Sequence, residues 1–593
     1  MSEPITIANC SGFYGDRLSA AREMVEGGHI DVLTGDWLAE LTMLILAKAK
    51  QRDASKGYAS TFIAQMEDVL ATCFEKGIRI ISNAGGLNPR ACAEKVAEIG
   101  KAQGISPRIA YLEGDDLLPK WEKISRNEGS IEYLQGSEVK PNAKVISANA
   151  YLGGWGVAKA LHEGADVVIT GRTTDAALVS GPAAWWHGWN REDWDQLAGA
   201  VAAGHVIECG TQATGGNYSF FTEIAEMKHI GFPIAQIHSD GSSVITKHPG
   251  TGGQVSIGTV TSQLMYEVGS PKYLGPDVDS RFDTLELEEV GPDCVRISGT
   301  KGLAPSGKLK VSINTLGGYR NDIKIAICGL DVKEKADLLT ETYWDYSPYQ
   351  PEDYDEAILQ VVRTDHEDAH SNEAATALWH LTLKDPDQQK VDRRASNAAV
   401  EMALSTTPGF YLLGGSPPVA RSFGVHAAAL VDASHCPQTV QFVDGQSFDV
   451  ELPIADQSRN EHCSHDETVT APSQFQGVPV VNVPLGRIFG ARSGDKGGDA
   501  NLGVFGRTEE AWAWLDAHLT VGRLSELLPE VGEHEIERYR FPNIRAVNFV
   551  IRGLLGDGVA ASVRQDAQAK SLGEWLRSRI VGLPQSVLDS EQP

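Results

Sequence analysis

The sequence predicts an α/β protein: a doubly wound, mostly parallel sheet core, a mixed α/β second region and a small C-terminal α+β layer. Three observations predict it. Five short apolar runs in the first 225 residues each end in a burst of small polar and charged residues, and helical stretches separate most of them, the pattern of βα units. From about residue 226 the chain turns to alternating segments broken by Gly, Ser and Pro. After an aperiodic polar stretch at 455–480, the last hundred residues again mix strand and helix signals.

The elements follow in order. Residues 5–8 form the first run, ahead of Asn9 to Arg17, and a helix at 18–26 stops at Gly27-Gly28. The next runs are 30–33 before Thr34-Gly35-Asp36-Trp37, and 78–81 before Ser82 to Pro89, with a helix at 90–101 opened by that proline. The last two are 145–147 before Ala148-Asn149 and 166–169 before Thr170 to Asp175. This reading divides the chain into a main body at 1–454 (βα core 1–225, mixed region 226–454), a linker at 455–480 and a small domain at 481–593. In the mixed region, 308–313 and 439–443 alternate like strands and 395–405 reads as a helix. In the small domain, 481–489, 500–505 and 545–551 read as strands, 509–518 and 568–583 as helices.

Composition narrows the function. The chain has 593 residues and a formal charge of -27, which repels nucleic acid and anionic membranes over most of its surface. Eight scattered cysteines without a CxxC suit a reducing compartment, and the start has neither a basic segment nor an apolar stretch, so a cytoplasmic protein is expected. His462, Cys463, His465 and Asp466 lie too close together, with no second cluster, to form a closed zinc site, so no metal is expected.

In parallel sheets the strand C-termini share one edge, where ligands bind. The expected site therefore gathers Asn9, Ser11, Gly12, Tyr14, Asp16 and Arg17 from the first strand end, Asp36 from the second, Asn83, Gly85, Gly86 and Asn88 from the third, Asn149 from the fourth, and Arg172, Thr173 and Asp175 from the fifth. Amides at 11–17 can cradle an anion with Asp16 and Arg17 orienting it; a tight capped turn uses the same residues. Arg172 offers a planar fork for a carboxylate or phosphate, set against an ordinary Arg–Asp pair with helix capping. Glu208 and Cys209 place an acid and a thiol beside a Gly/Thr loop containing Gly215 and Asn217, although no spacing identifies a base that activates the thiol. Arg492, Ser493, Gly494, Asp495, Lys496 and Asn501 form a glycine-rich cationic segment in an otherwise acidic chain, read as an anion or substrate loop and alternatively as a turn between strands.

The stretches 8–17, 31–42, 83–89, 167–175, 208–217 and 492–501 resemble the acyclic terpene utilisation AtuA-like family over nearly the whole chain, the last hundred residues resembling its C-terminal ferredoxin-like domain. The resemblance implies a part in bacterial degradation of citronellol-like and geraniol-like terpenes through coenzyme A thioesters. It carries no catalytic residue over. Two functions are expected in competition. One is a lyase on an acyl-CoA thioester or related carboxylate, a hydratase/dehydratase or carbon–carbon lyase with Asp16, Asp36, Arg172 and Asp175 as its catalytic groups. The other is a non-catalytic ligand-binding or assembly subunit. No cofactor is required beyond coenzyme A carried by the substrate, and a homo-oligomer without nucleic-acid or membrane partners is expected.

Overall fold

The computed structural model describes residues 3–126, 130–134, 138–140, 143–455, 475 and 477–590. Most of the expected linker, with His462, Cys463, His465 and Asp466, lies outside them. The chain builds a mixed α/β structure around an eleven-stranded sheet. Its centre is parallel, in the order Ile5–Asn9, Val32–Gly35, Arg79–Ser82, Val167–Ile169, Ile109–Glu113. Antiparallel strands extend it on both flanks, beginning with Pro233–Ile237 beside the first strand and Gln438–Phe442 beside Ile109–Glu113. The sheet is therefore mixed and not mostly parallel as the sequence suggested, because later antiparallel strands complete its flanks, and it draws on both 1–225 and 226–454.

The strands read as apolar runs because both faces are covered. Ile5, Ile7, Val32, Ile81 and Val168 pack among residues of the helices Trp155–His162, Ala177–His187 and Trp194–Ile207. Their neighbours Ala8, Leu33, Ile80, Val167 and Ile169 pack with Ala20–Gly27, Ser60–Lys76 and Pro89–Ala102. Asn88 caps the last of these helices, accepting from Ala91 N at 3.4 Å.

One of the five runs leaves this sheet. Val145–Ala150 pairs antiparallel with Lys308–Cys328, the long strand of a separate seven-stranded sheet. Its Ala148 and Ala150 pack with Val311, Ile313, Ala427 and Ala429. A short apolar run carries no information about its partner; this core, remote in sequence, selects it.

In the C-terminal part Gly490–Lys496, Asp499–Phe505, Ala546–Ile551 and Ile536–Phe541 form a four-stranded antiparallel sheet in that order. The helices Glu509–His518, Val521–Leu527 and Leu572–Ser578 share its core. Two sequence expectations change here. The final helix stops at Ser578, and Ile580–Pro584 becomes a strand against Val480–Pro484 because that apolar pair needs ladder partners. The 481–489 run breaks after Pro484 into a short turn before Gly490. Among the described residues no helix is long and apolar enough to cross a membrane.

Candidate functional site

The C-terminal ends of the parallel strands form the floor of a polar crevice. Asp36 follows Val32–Gly35 and is 7% exposed. Its Oδ1 accepts from Asn83 Nδ2 and from Leu38 N at 2.9 Å, and Asn83 Oδ1 accepts from Trp37 N at 2.9 Å, so two strand ends are tied together. Burial, and then the neighbouring Asp175 charge, push the Asp36 carboxyl well above its ordinary range against the pull of Arg172. Glu208, equally buried, is raised by burial and then by Asp175 and Glu267. Burial disfavours the charged form of both carboxyls.

Arg172 is 3% exposed; its Nη1 pairs with Asp175 Oδ1 at 2.7 Å and its guanidinium lies 4.1 Å from the centre of the Tyr151 ring. Asp115 accepts from Arg172 N at 2.9 Å and from Asn149 Nδ2 at 2.8 Å, and burial pushes it up to about 7 despite those bonds.

The seven-stranded sheet and the helix Glu40–Arg52 supply one wall. Lys310 lies 4.7 Å from the centre of the Tyr151 ring, and the Tyr151 hydroxyl donates to Glu40 Oε1 at 3.4 Å. Burial raises the Glu40 carboxyl, but His426, Lys310 and Arg172 outweigh it and hold it down at about 2. His426, bonded to Ser312 Oγ at 3.1 Å, is lowered to about 4 by burial and by Lys310 and Arg172.

The C-terminal sheet closes the other side. Arg492 stacks 4.2 Å from the centre of the Tyr266 ring, Lys570 pairs with Asp495 at 3.4 Å and Glu267 at 3.9 Å, and Lys496 Nζ donates to Glu267 O at 3.3 Å. Lys496 reaches water, yet protein surrounds its amine on most sides; that shielding, and then the Lys310 charge, push it down to about 8. Buried polar atoms are nearly always paired. Here Asn149 Oδ1, Arg172 Nε, Glu208 Oε2, His426 Nδ1 and Arg492 Nε and Nη2 are buried without a partner, and all belong to this crevice. Among the described residues no group of three or more His, Cys, Asp or Glu could hold a metal ion.

Of the residues read from the sequence, Asp36, Asn83, Asn149, Arg172, Asp175, Arg492, Asp495 and Lys496 meet here. Others serve the fold. Asp16 caps its own turn, accepting from Gly12 N at 3.0 Å and Arg17 N at 2.9 Å. Arg17 turns outward to Glu23 and to Ile230 O. Asn9 orders the strand end through Ser11 N and Glu208 O, Ser11 bonds Phe13 O, and Tyr14 reaches Ser60. Gly12 lets Cys209 pass, since an added Cβ would stand 2.5 Å from its carbonyl carbon; at Gly85 it would stand 2.5 Å from Thr170 O. Gly86 and Gly215 (φ 53° and 106°) and Asn217 (φ 57°) take left-handed backbone in turns. Asn88 caps its helix, and Thr173 donates to Leu152 O at 2.7 Å.

The glycine-rich segment at 492–501 is a hairpin, its amides largely committed to the Gly490–Lys496 and Asp499–Phe505 ladder. Ser493 bonds Ala569 O and Gly573 N inside the small domain, Gly494 makes room for the Tyr266 ring, and Asn501 pins the domain to Met265 and Glu267. Sequence reasoning missed Glu40, Asp115, Tyr151, Glu267, Lys310, His426 and Lys570. Asp115, two residues past the end of Ile109–Glu113, follows the same strand-end pattern as Asp36. Lys310 and His426 sit inside strands of another sheet and carry no local signal.

Neither the characterised proteins nor the solved structures searched contain a match to this chain. Two family models do match: acyclic terpene utilisation family protein AtuA over residues 5–442, and the AtuA ferredoxin-like domain over 483–581. Together they span the parallel strand ends, the second sheet and the cationic hairpin that meet at the crevice, and the chain belongs to the acyclic terpene utilisation AtuA family.

Proposed function

We propose that the crevice is the active site of a lyase acting on an acyl-CoA thioester or related carboxylate, in the degradation of acyclic terpenes. The observation that carries this reading is the pairing of opposite chemistries on one floor: two buried carboxyls pushed above their ordinary range, Asp36 and Glu208, beside a buried arginine with an unpaired donor. Elimination of water from a 3-hydroxyacyl group removes a proton from C2 and delivers one to the departing hydroxyl. Asp175 is the proposed base, Asp36 or Glu208 the acid, and Arg172 the partner of the enolate oxygen. Carbon–carbon cleavage with an enolate leaving group makes the same demand on Arg172. Cys209 is a poor nucleophile here, because burial above all pushes its thiol well above the ordinary range. Lys496, at the open rim, meets the anionic part of the coenzyme.

Turnover of a panel of short and branched enoyl-CoA and 3-hydroxyacyl-CoA thioesters tests the proposal. Arg172→Ala should lower kcat by a factor of about 100 to 1,000, the loss seen when one oxyanion donor is removed. Absence of turnover across the panel, with the thioesters still binding, would leave a ligand-binding subunit instead.

A further inference from the structure

Arg492 stands out among the buried arginines. Arg172, Arg492 and Arg538 are the three arginines less than 9% exposed among the described residues. Arg172 pairs with Asp175 at 2.7 Å and Arg538 with Asp516 at 3.0 Å. Arg492, 7% exposed, has the Tyr266 ring against its guanidinium, no carboxylate partner, and buried Nε and Nη2 atoms that bond to nothing. The nearby carboxylates are engaged elsewhere, because Lys570 holds Asp495 at 3.4 Å and Glu267 at 3.9 Å. A charge withdrawn from water without a partner is strongly destabilising. This one is retained at the junction of the C-terminal domain with the main body.

The two unpaired donors specify the ligand. Nε–H and Nη2–H point out along the same edge of the guanidinium, in its plane, and form the fork that takes both oxygens of a carboxylate. Tyr266 covers a face of the group, which leaves approach in the plane. The burial suits a small planar anion better than the phosphates of a nucleotide, which need room and several cations. Arg492 also belongs to the same crevice as the strand ends: Glu208, Glu267, Asp36 and Arg492 are the ionisable groups that act on Cys209.

The geometry points to a carboxylate subsite at Arg492, for a substrate carboxyl group other than the one that reacts beside Arg172. This rests on the acyl-site reading above and deepens it: the substrate class is a dicarboxylic acid or its half-thioester, gripped at one end by the C-terminal domain and worked on at the other by the main body.

The test is ligand binding to the full chain, by calorimetric titration and thermal shift, with monomethyl glutarate, dimethyl glutarate and ADP as probes. Monomethyl glutarate, which keeps the one free carboxylate of a half-thioester, should bind saturably and at least about tenfold more tightly than the dimethyl ester, the scale of a lost hydrogen bond to a charged group. Arg492→Lys keeps charge and stem but not the fork, and should bring the monoester to the level of the diester. Arg492→Gln should do the same; if it does not fold, the lysine variant decides alone. Equal affinity for monoester and diester, or monoester binding unchanged in Arg492→Lys, would overturn the subsite. So would ADP binding that depends on Arg492, since that would make it a nucleotide-phosphate contact. The two proposals can fail separately. Turnover of a dicarboxylic half-thioester with KM unaffected by Arg492→Lys would keep the lyase and remove the subsite. Arg492-dependent monoester binding without turnover of any thioester would do the reverse.

Discussion

Asp115 links the chemistry of the crevice to stability. Its carboxyl, ordinarily near 3.8, is raised to about 7 because burial outweighs the bonds from Arg172 N and Asn149. The folded chain therefore holds a proton that the unfolded chain releases between those values. Linkage makes this contribution complete below about pH 4 and lost as pH climbs to about 7. Asp277, raised to about 6 by burial, acts in the same direction over part of that window. Asp115→Asn keeps an acceptor for Arg172 N and cannot ionise. The fall in Tm between about pH 4 and about pH 7 should be shallower in this variant than in the parent, though Asp277 keeps it from vanishing. Parallel slopes in scanning calorimetry would mean that the Asp115 carboxyl is as easily ionised in the folded chain as out of it.

The hairpin from Gly490 to Phe505 carries Arg492 and Lys496 to the crevice, and its glycines decide how closely it can approach. A Cβ on Gly494 would stand 2.5 Å from the Tyr266 ring, the same ring that stacks on Arg492. Gly494→Ala must move the ring or the strand. The expected cost is about 1–3 kcal/mol, the usual range for overpacking a tight contact. Gly522, in the Val521–Leu527 helix, is the internal control: an added Cβ there meets nothing within 4 Å. Gly522→Ala should be neutral or gain up to about 1 kcal/mol from helix propensity. Denaturant titrations giving the two variants equal stability would show that the Tyr266 contact does not constrain the hairpin.

At the scale of the whole molecule, the crevice exists only where three bodies of structure dock. Asn548 Nδ2 donates to Val268 O and Gly269 O, both at 2.7 Å, and its Oδ1 accepts from Asn501 Nδ2, which also reaches Met265 O. These amides are wholly buried and join the C-terminal sheet to the main body. Asn548→Ala leaves both carbonyls and the Asn501 amide short of partners, at about 1–3 kcal/mol for each unsatisfied group. Calorimetry should then resolve two unfolding transitions where the parent gives a more cooperative one. Loss of docking should also lower turnover, because Arg492, Lys496 and Lys570 reach the crevice only through it. An unchanged single transition would assign the docking to other contacts.

Local pattern was enough to mark the shared edge that brings Asp36, Asn83, Arg172 and Asp175 together, because parallel strands send their C-termini one way whatever packs around them. It also marked Arg492 and Lys496 as cations out of place in an acidic chain. It did not separate Asp16 from Asp36. Both end a strand, and only the tertiary structure turns one back onto the amides of Gly12 and Arg17 while burying the other beside Asn83. Nor did it reveal that the Asp36 and Glu208 carboxyls are pushed up, since that depends on burial and on charges far along the chain. Lys310 and His426 stayed hidden for the same reason. They sit within strands whose alternation reports burial, and their place opposite Arg172 is settled by how the second sheet packs across the edge of the first.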